Sequence, residues 1–261
     1  MNRFGAFLHR SLAHPLTASM QIDDPATTEL RKQIISSNPF LKAIYDEWYS
    51  MLARELPTMG GEVLELGSGG GYCSQFIPGL VTSETFPCSM VKLVVDAQRM
   101  PLSNGALRAI VMTNVMHHLP SVRSFLGEAT RCLRSGGKIL MIEPWVTPWS
   151  KFIYTRLHHE PFEPNAEDWT FPPKGPLSGA NMAMPWIVFE RDRQKFESEF
   201  PGLFVEKIRP FLPFRYLVSG GVTMRKLMPG FTHGAWSRFE RLLEGQMRHL
   251  GLFAFIAIRR V

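Results

Sequence analysis

The stretch VLELGSGGGY, residues 63–72, constrains the fold more than any other part of this chain. Val63, Leu64 and Leu66 read as a short buried strand with Glu65 at its tip. Gly67, Gly69, Gly70 and Gly71 crowd the turn that follows. Glycine takes positive φ and lets another group approach the bare backbone. Several glycines between a strand and a helix start at Tyr72 make a loop whose amides face a ligand. Alone, such a cluster also fits a flexible turn, so the downstream segments decide.

Those segments alternate. YCSQFI reads as a short helix, GLVTSE as a weak strand and MVKLVVDA as a strong one. The turn LSNGAL leads to the strand RAIVMTN. A helix then runs from Ser121 to about Leu133 and stops at Ser135-Gly136-Gly137, and the strand KILMIEP follows. Continuous apolar strands separated by helices indicate a parallel sheet covered on both faces. Right-handed crossovers make it doubly wound. Upstream, Asn38 is placed to cap a helix with Pro39 in its first turn. Phe40, Leu41, Ile44, Trp48, Met51 and Leu52 share one face of that helix, and residues 1–37 read as an irregular arm. WIVFERDRQKFESEF reads as a helix; LFVEKIRP and LFAFIAIRR supply two more strands. Residues 145–185 and 209–236 break the alternation; long segments of this kind are functional lids or disordered, and this much Trp and Phe argues against disorder.

Composition bounds the rest. Hydrophobic residues make up 45% of the 261 and charged residues 20%, enough apolar material for one large core. Lys and Arg number 29 against 23 Asp and Glu, a net charge of +6 with no run of five like charges. That argues against a nucleic-acid tail and suits an anionic ligand or membrane surface. Three cysteines, Cys73, Cys88 and Cys132, form no CxxC pair, as expected in a reducing compartment. The first residues, broken by His9, Arg10 and His14, lack the apolar run of a secretory signal. GLFAFIAI is too short to span a bilayer, which takes about 20 residues. The expectation is a cytoplasmic protein, with peripheral contact at the inner membrane face.

Ligands of an open parallel sheet sit beyond the carboxyl ends of its strands. Glu65, Glu84 and Asp96 lie at successive ends. Glu84 follows Gly67 by seventeen positions, near the offset at which a carboxylate meets a ribose diol. The ordered series VLELGSGGG, Glu84, VVDAQRMPLSNGALRAIVMTNVMHHLP and RCLRSGGKILMIEP resembles the class I S-adenosylmethionine-dependent methyltransferases, most strongly over residues 60–144. The resemblance implies a single domain: residues 1–59 an arm and helix, 60–144 the cofactor-binding half, 145–185 and 209–236 insertions forming the acceptor site and lid. The expected fold is α/β, doubly wound, with a mostly parallel seven-stranded sheet, an N-terminal helical cap and both insertions over the cofactor face. The resemblance assigns Glu65, Gly67, Ser68, Gly69 and Gly71 to the methionine part and ribose of S-adenosylmethionine. It assigns Glu84 to the ribose hydroxyls, Asp96 with Ala97 to the adenine, and Asn114 to the strand end nearest the reacting centre. The link TFPCSM after Glu84 is too short for a crossover helix. It is read either as a bare loop or as a sign that the second strand lies elsewhere.

Methyl transfer from a sulfonium needs alignment above all, and a base only where the acceptor must lose a proton. His117 and His118 follow the fourth strand, where the family places acceptor-facing residues. RLHHEP adds Arg156, His158, His159 and Glu160 in the first insertion. His117 and His159 are the expected bases. Adjacent histidines lack the i, i+4 spacing of a helical zinc site, so no metal ligands are expected. Weaker polar candidates are Arg215, Tyr216 and His233. Aromatic and basic residues of the insertions (Trp145, Trp149, Trp169, Trp186, Phe211, Phe214, Tyr216, Trp236; Arg156, Arg215, Arg225, Lys226) point to a small-molecule or lipid-linked acceptor under an aromatic lid. Two alternatives fit the glycine loop: a non-catalytic S-adenosylmethionine-binding partner or sensor, and a nucleotide-dependent oxidoreductase. The second is disfavoured because Tyr72 stands where G-x-G-x-x-G needs its last glycine.

Overall fold

The computed structural model describes residue 14 and residues 26–158, 160–172, 175 and 179–261. The strands are β1 (Glu62–Leu66), β2 (Val81–Glu84), β3 (Leu93–Val94), β4 (Leu107–Thr113), β5 (Leu133–Pro144), β6 (Leu203–Phe211) and β7 (Phe253–Arg260). Among the described residues they form one sheet in the order β3-β2-β1-β4-β5-β7-β6. β1 to β5 pair in parallel, with Leu64 opposite both Val81 and Ile110, and Ile110 opposite Ile139. β7 runs antiparallel to β5 and to β6. The chain leaves β1 toward one edge and returns through β4 on its other side, so strand order reverses between β1 and β4. Such a reversal opens a crevice beyond the strand ends.

Two apolar layers cover the sheet. On one face lie Phe125, Leu126 and Ala129 of α3 (Val122–Cys132), with Ile187, Val188, Phe189 and Phe196. On the other lies α2 (Pro39–Arg54), whose Phe40, Leu41, Ile44, Trp48 and Leu52 are buried. Each such side chain contributes about 1.5–3 kcal/mol by leaving water. The capping was legible: the Asn38 side chain accepts from Leu41 N at 3.3 Å, and Pro39 opens the helix. Trp48 stacks on Tyr216 with ring centroids 5.7 Å apart, joining this helix to the second insertion.

Three expectations need correction. Residues 26–37 form a helix, α1 (Ala26–Ser37), rather than an irregular arm; Ile34 and Ile35 bury against the α2 face. MVKLVVDA yields only the two-residue β3, because it lies at the sheet edge with Leu93 and Val94 exposed. α4 (Pro148–Leu157) opens the first insertion; after it, WIVFERDRQKFESEF is helical but interrupted by a π-helical turn, Ile187–Arg191, before α5 (Arg193–Glu199). The question of the short link is answered: residues 85–92 join β2 to β3 as a bare loop, with Glu84 opposite Val94.

Candidate active site

A cavity of about 780 Å³ lies over the carboxyl ends of β1 and β4. Its first end is the glycine loop. Gly67 and Gly69 take φ of 63° and 52°, a left-handed conformation that glycine adopts without strain. A Cβ on Gly67 would come within 2.5 Å of Val115, and one on Gly71 would overlap the Tyr49 hydroxyl. The loop is stitched to β2. Ser68 N donates to Ser83 O at 2.9 Å, Ser83 N donates back to Ser68 Oγ at 3.1 Å, and Gly69 N donates to Glu84 Oε1 at 2.5 Å. Glu65 is buried at the tip of β1, and burial pushes its carboxyl up to about 7; the Ser68 hydroxyl opposes that rise and the Glu84 charge adds to it. Burial raises Glu84 as well, against the amides of Gly69 and Thr85.

All nine residues expected at the cofactor line this cavity: Glu65, Gly67, Ser68, Gly69, Gly71, Glu84, Asp96, Ala97 and Asn114. Asp96 is exposed and accepts from Gln98 N at 2.8 Å, while Ala97 is buried. Asn114 holds φ of 58°, which its short polar side chain tolerates better than most. Sequence reasoning missed Thr28 and Arg31 of α1, which line the same end. The mixed composition of the arm hid that helix.

The second end gathers residues remote in sequence. His117 and His118 stand on the short turn Met116–His118 after β4. Glu143, near the end of β5, is fully buried; its Oε1 accepts from Val115 N at 2.7 Å and Met116 N at 2.8 Å, and its Oε2 accepts from His117 Nδ1 at 2.7 Å. On the opposite side of the ring, His117 Nε2 faces Glu160 Oε2 at 3.5 Å. His118 Nδ1 donates to the Gly179 carbonyl at 3.0 Å, so its Nε2 faces Glu160 Oε1, 4.0 Å away. Burial pulls the His117 pKa down, but hydrogen bonds to Glu143 and Glu160 and their charges outweigh it and lift it to about 9. Burial and the neighbouring His117 charge lower His118 to about 4. Burial would raise the Glu160 carboxyl, yet the three imidazoles of His117, His158 and His118 hold it well below the usual range.

Glu160 therefore meets the histidines of the fourth strand, whereas the sequence set it beside His158 and His159. His159 lies outside the described residues. Glu143 was missed as a site residue; an acid closing an otherwise apolar strand, KILMIEP, was the available signal. Both insertions reach the cavity, the first through Tyr154, Leu157, His158, Glu160 and Met182, the second through Tyr216, Leu217, Val222, Met224 and Leu227. The tryptophans do not: no tryptophan is among the lining residues, and Trp145 and Trp169 are buried in the core. The aromatic wall consists of Tyr45, Tyr49, Tyr154, Tyr216, Phe86 and Phe253. Arg215 is not a cation for an acceptor either. It lies buried between Glu240 and Glu47, with Nε 2.6 Å from Glu240 Oε2 and Nη1 2.6 Å from Glu47 Oε1, pinning α6 (Arg215–Ser219) to α2 and to α7 (His233–Leu242).

Residues 64–141 match the family model described as "Methyltransferase domain". The fold matches geranyl diphosphate C-methyltransferase from Streptomyces coelicolor A3(2), in complex with Mg2+, geranyl diphosphate and S-adenosyl-L-homocysteine, with a TM-score of 0.51 and 14% identity. That match covers 100% of this chain and 99% of that one. A structure of geranyl diphosphate methyltransferase in complex with S-adenosylmethionine matches with a TM-score of 0.50 and 13% identity over 92% and 94% of the two chains. No curated protein matches by sequence. Residues 64–141 are a methyltransferase domain by this match, and the fold around them is the one shared with the two geranyl diphosphate methyltransferase structures. The domain match makes this a methyltransferase domain with S-adenosylmethionine as its cofactor, and it favours the methyltransferase reading over the non-catalytic and oxidoreductase ones.

Proposed function

We propose that the protein methylates a hydrophobic, small-molecule or lipid-linked acceptor, with cofactor and acceptor sharing the one cavity. The observation that carries this reading is the division of that cavity. Glycine backbone and strand-end carboxylates fill one end, and the His117–His118–Glu160 group lies at the other, under apolar walls of Tyr154, Met182, Tyr216, Leu252 and Phe253. In the cofactor half, Glu65, Gly67, Ser68, Gly69 and Gly71 hold the methionine part and ribose. Glu84 accepts from the ribose hydroxyls, Asp96 and Ala97 read the adenine, and Asn114 borders the reacting centre. A carboxylate suits a diol because it accepts two hydrogen bonds at once. The acceptor's reacting atom then sits toward His117, where Glu143 and Glu160 stabilise any proton that the imidazole takes up. His117 is the base in this reading, acting in its neutral form, which grows as pH rises toward about 9; His159, the other expected base, precedes Glu160 in the sequence.

An exposed surface of apolar and basic side chains supports the lipid-linked class. Phe231 is 89% exposed, Leu242 85% and Leu227 53%, with Arg225, Lys226, Arg238 and Arg241 also exposed on the same segment. Leu227 borders the cavity as well. Apolar side chains among cations suit an anionic bilayer face, where each basic residue contributes about 1 kcal/mol. No helix among the described residues is long and apolar enough to cross a membrane. The test is transfer of a radiolabelled methyl group from S-adenosylmethionine into cell extract separated into lipid, sugar and protein fractions, with geranyl diphosphate as a first defined acceptor. Label in the lipid fraction is expected; label confined to protein would overturn the acceptor class. Flotation with anionic vesicles at low and high salt checks the surface, and no binding at low salt would remove it.

A further inference from the structure

Two imidazoles and a carboxylate converge at the acceptor end. One ligand-type atom from each of His117, His118 and Glu160 lies within 4.8 Å of the other two. Both rings are held from behind, His117 by the Glu143 carboxylate and His118 by the Gly179 carbonyl, each through Nδ1. These oxygens only accept, so each ring keeps a proton on Nδ1 and turns Nε2 toward Glu160. A carboxylate or carbonyl behind the far nitrogen is the support that metal-ligating histidines carry; it fixes both tautomer and ring orientation. A simple His–Glu ion pair would need neither a second histidine nor this second support.

We propose that His117 Nε2, His118 Nε2 and the Glu160 carboxylate bind a divalent transition-metal ion of the zinc type, with its remaining position open to the cavity. Two imidazoles and one carboxylate form the donor set of zinc sites that keep a place for substrate, while magnesium and calcium take oxygen ligands. Once an ion takes the place of the Nε2 proton on His117, Glu143 and Glu160 bring two negative charges into a buried pocket, and the dication balances them. Ligands about 2.0–2.2 Å from a four-coordinate ion stand roughly 3.3–3.6 Å apart. The present separations, 3.5 Å from His117 Nε2 to Glu160 Oε2 and 4.0 Å from His118 Nε2 to Glu160 Oε1, lie near that range, and all three donors fall within 4.8 Å of one another, so the ion draws them together by small shifts of the side chains.

The inference rests on reading this as the acceptor end, and it narrows the acceptor to one carrying a hydroxyl or anionic oxygen. A hydroxyl on the ion releases its proton to water, its oxygen bonds the sulfonium methyl carbon, and the carbon–sulfur pair returns to sulfur. His117 then serves as a ligand, and the ion does the work expected of a base.

The test uses the full chain, stripped with a chelator and titrated with Co2+ alone, followed by visible absorption. One equivalent should bind with the spectrum of a four- or five-coordinate ion, and Zn2+ should displace it. Glu160→Gln and His118→Ala should each weaken uptake by more than about a hundredfold, beyond the ten- to hundredfold typical of a supporting residue. Each variant is also titrated with S-adenosylhomocysteine to show that it is folded. If His118→Ala does not fold, Glu160→Gln decides alone. Absence of stoichiometric uptake by wild type, or equal uptake by Glu160→Gln, would overturn the ion site. Co2+ uptake without S-adenosylhomocysteine binding would instead overturn the assignment of the cofactor half and leave the ion site standing.

Discussion

The two ends of the cavity are built in opposite ways. At the cofactor end the decisive contacts are short in sequence: Gly69 reaches Glu84 across 15 residues, and most of the loop is one run from Glu65 to Gly71. At the acceptor end, His117 reaches Glu143 across 26 residues and His118 reaches Gly179 across 61, with Glu160 from a third segment. The first end is shaped by backbone that glycine alone leaves open. The second is shaped by buried side chains that hold one another's charges. Damage to the first should therefore appear in cofactor affinity, and damage to the second in stability and turnover.

The largest expected effect follows from removing the anchor of the acceptor end. Glu143→Ala leaves the amides of Val115 and Met116 and the His117 Nδ1–H without their buried acceptor. At about 1–3 kcal/mol each, partly relieved by water, the loss is about 4 kcal/mol, or a fall of roughly 8–16 °C in melting temperature. Affinity for S-adenosylhomocysteine, measured calorimetrically below that temperature, should hardly change. Gly69→Val acts at the other end. It forces a β-branched residue to φ of 52°, and relieving that strain turns the residue 69 amide away from Glu84, together about 3 kcal/mol, so S-adenosylhomocysteine binding should fall on the order of a hundredfold.

Glu65 gives a pH signature that belongs to the cofactor end alone. Its folded pKa of about 7 lies above the ordinary 4.5, so the folded state holds this proton more tightly than the unfolded chain does. The resulting stabilisation is fully present below pH 4.5 and disappears as pH rises through about 7, a change of roughly 3 kcal/mol. Melting curves of the ligand-free protein are compared between wild type and Glu65→Gln from pH 5 to 8: the stability of wild type relative to the variant should fall as pH rises through about 7, while the titrations of His117 and His118, common to both, cancel. An unchanged slope in that variant would place the titrating group elsewhere.

How much could be read in advance tracks the same division. The strand–glycine–strand series, the Asn38 cap and the acids at the strand ends were legible because each depends on neighbours along the chain. The acceptor end was legible only in part. His117 was visible as a residue after β4, but nothing in RLHHEP indicates that Glu160 crosses to it. The tryptophans misled for a related reason: composition reports that large rings are present, while tertiary packing put Trp145 and Trp169 into the core and gave the cavity wall to tyrosines. β3 was overestimated because an apolar run does not reveal that its strand lies at an edge, with no helix in the following loop to cover it.

The smallest effect is also the most discriminating. Asp96 is exposed, so Asp96→Ala should leave melting unchanged while removing a charged hydrogen bond to the adenine, about 1.5–3 kcal/mol. Calorimetric titration of S-adenosylhomocysteine into wild type, Asp96→Ala and Glu160→Gln tests the division of the cavity directly. Wild type should bind one equivalent, Asp96→Ala should bind ten- to a hundredfold more weakly, and Glu160→Gln should bind as wild type does. Equal affinity in Asp96→Ala, or a loss in Glu160→Gln as large as that expected of Asp96→Ala, would contradict the assignment of the two ends.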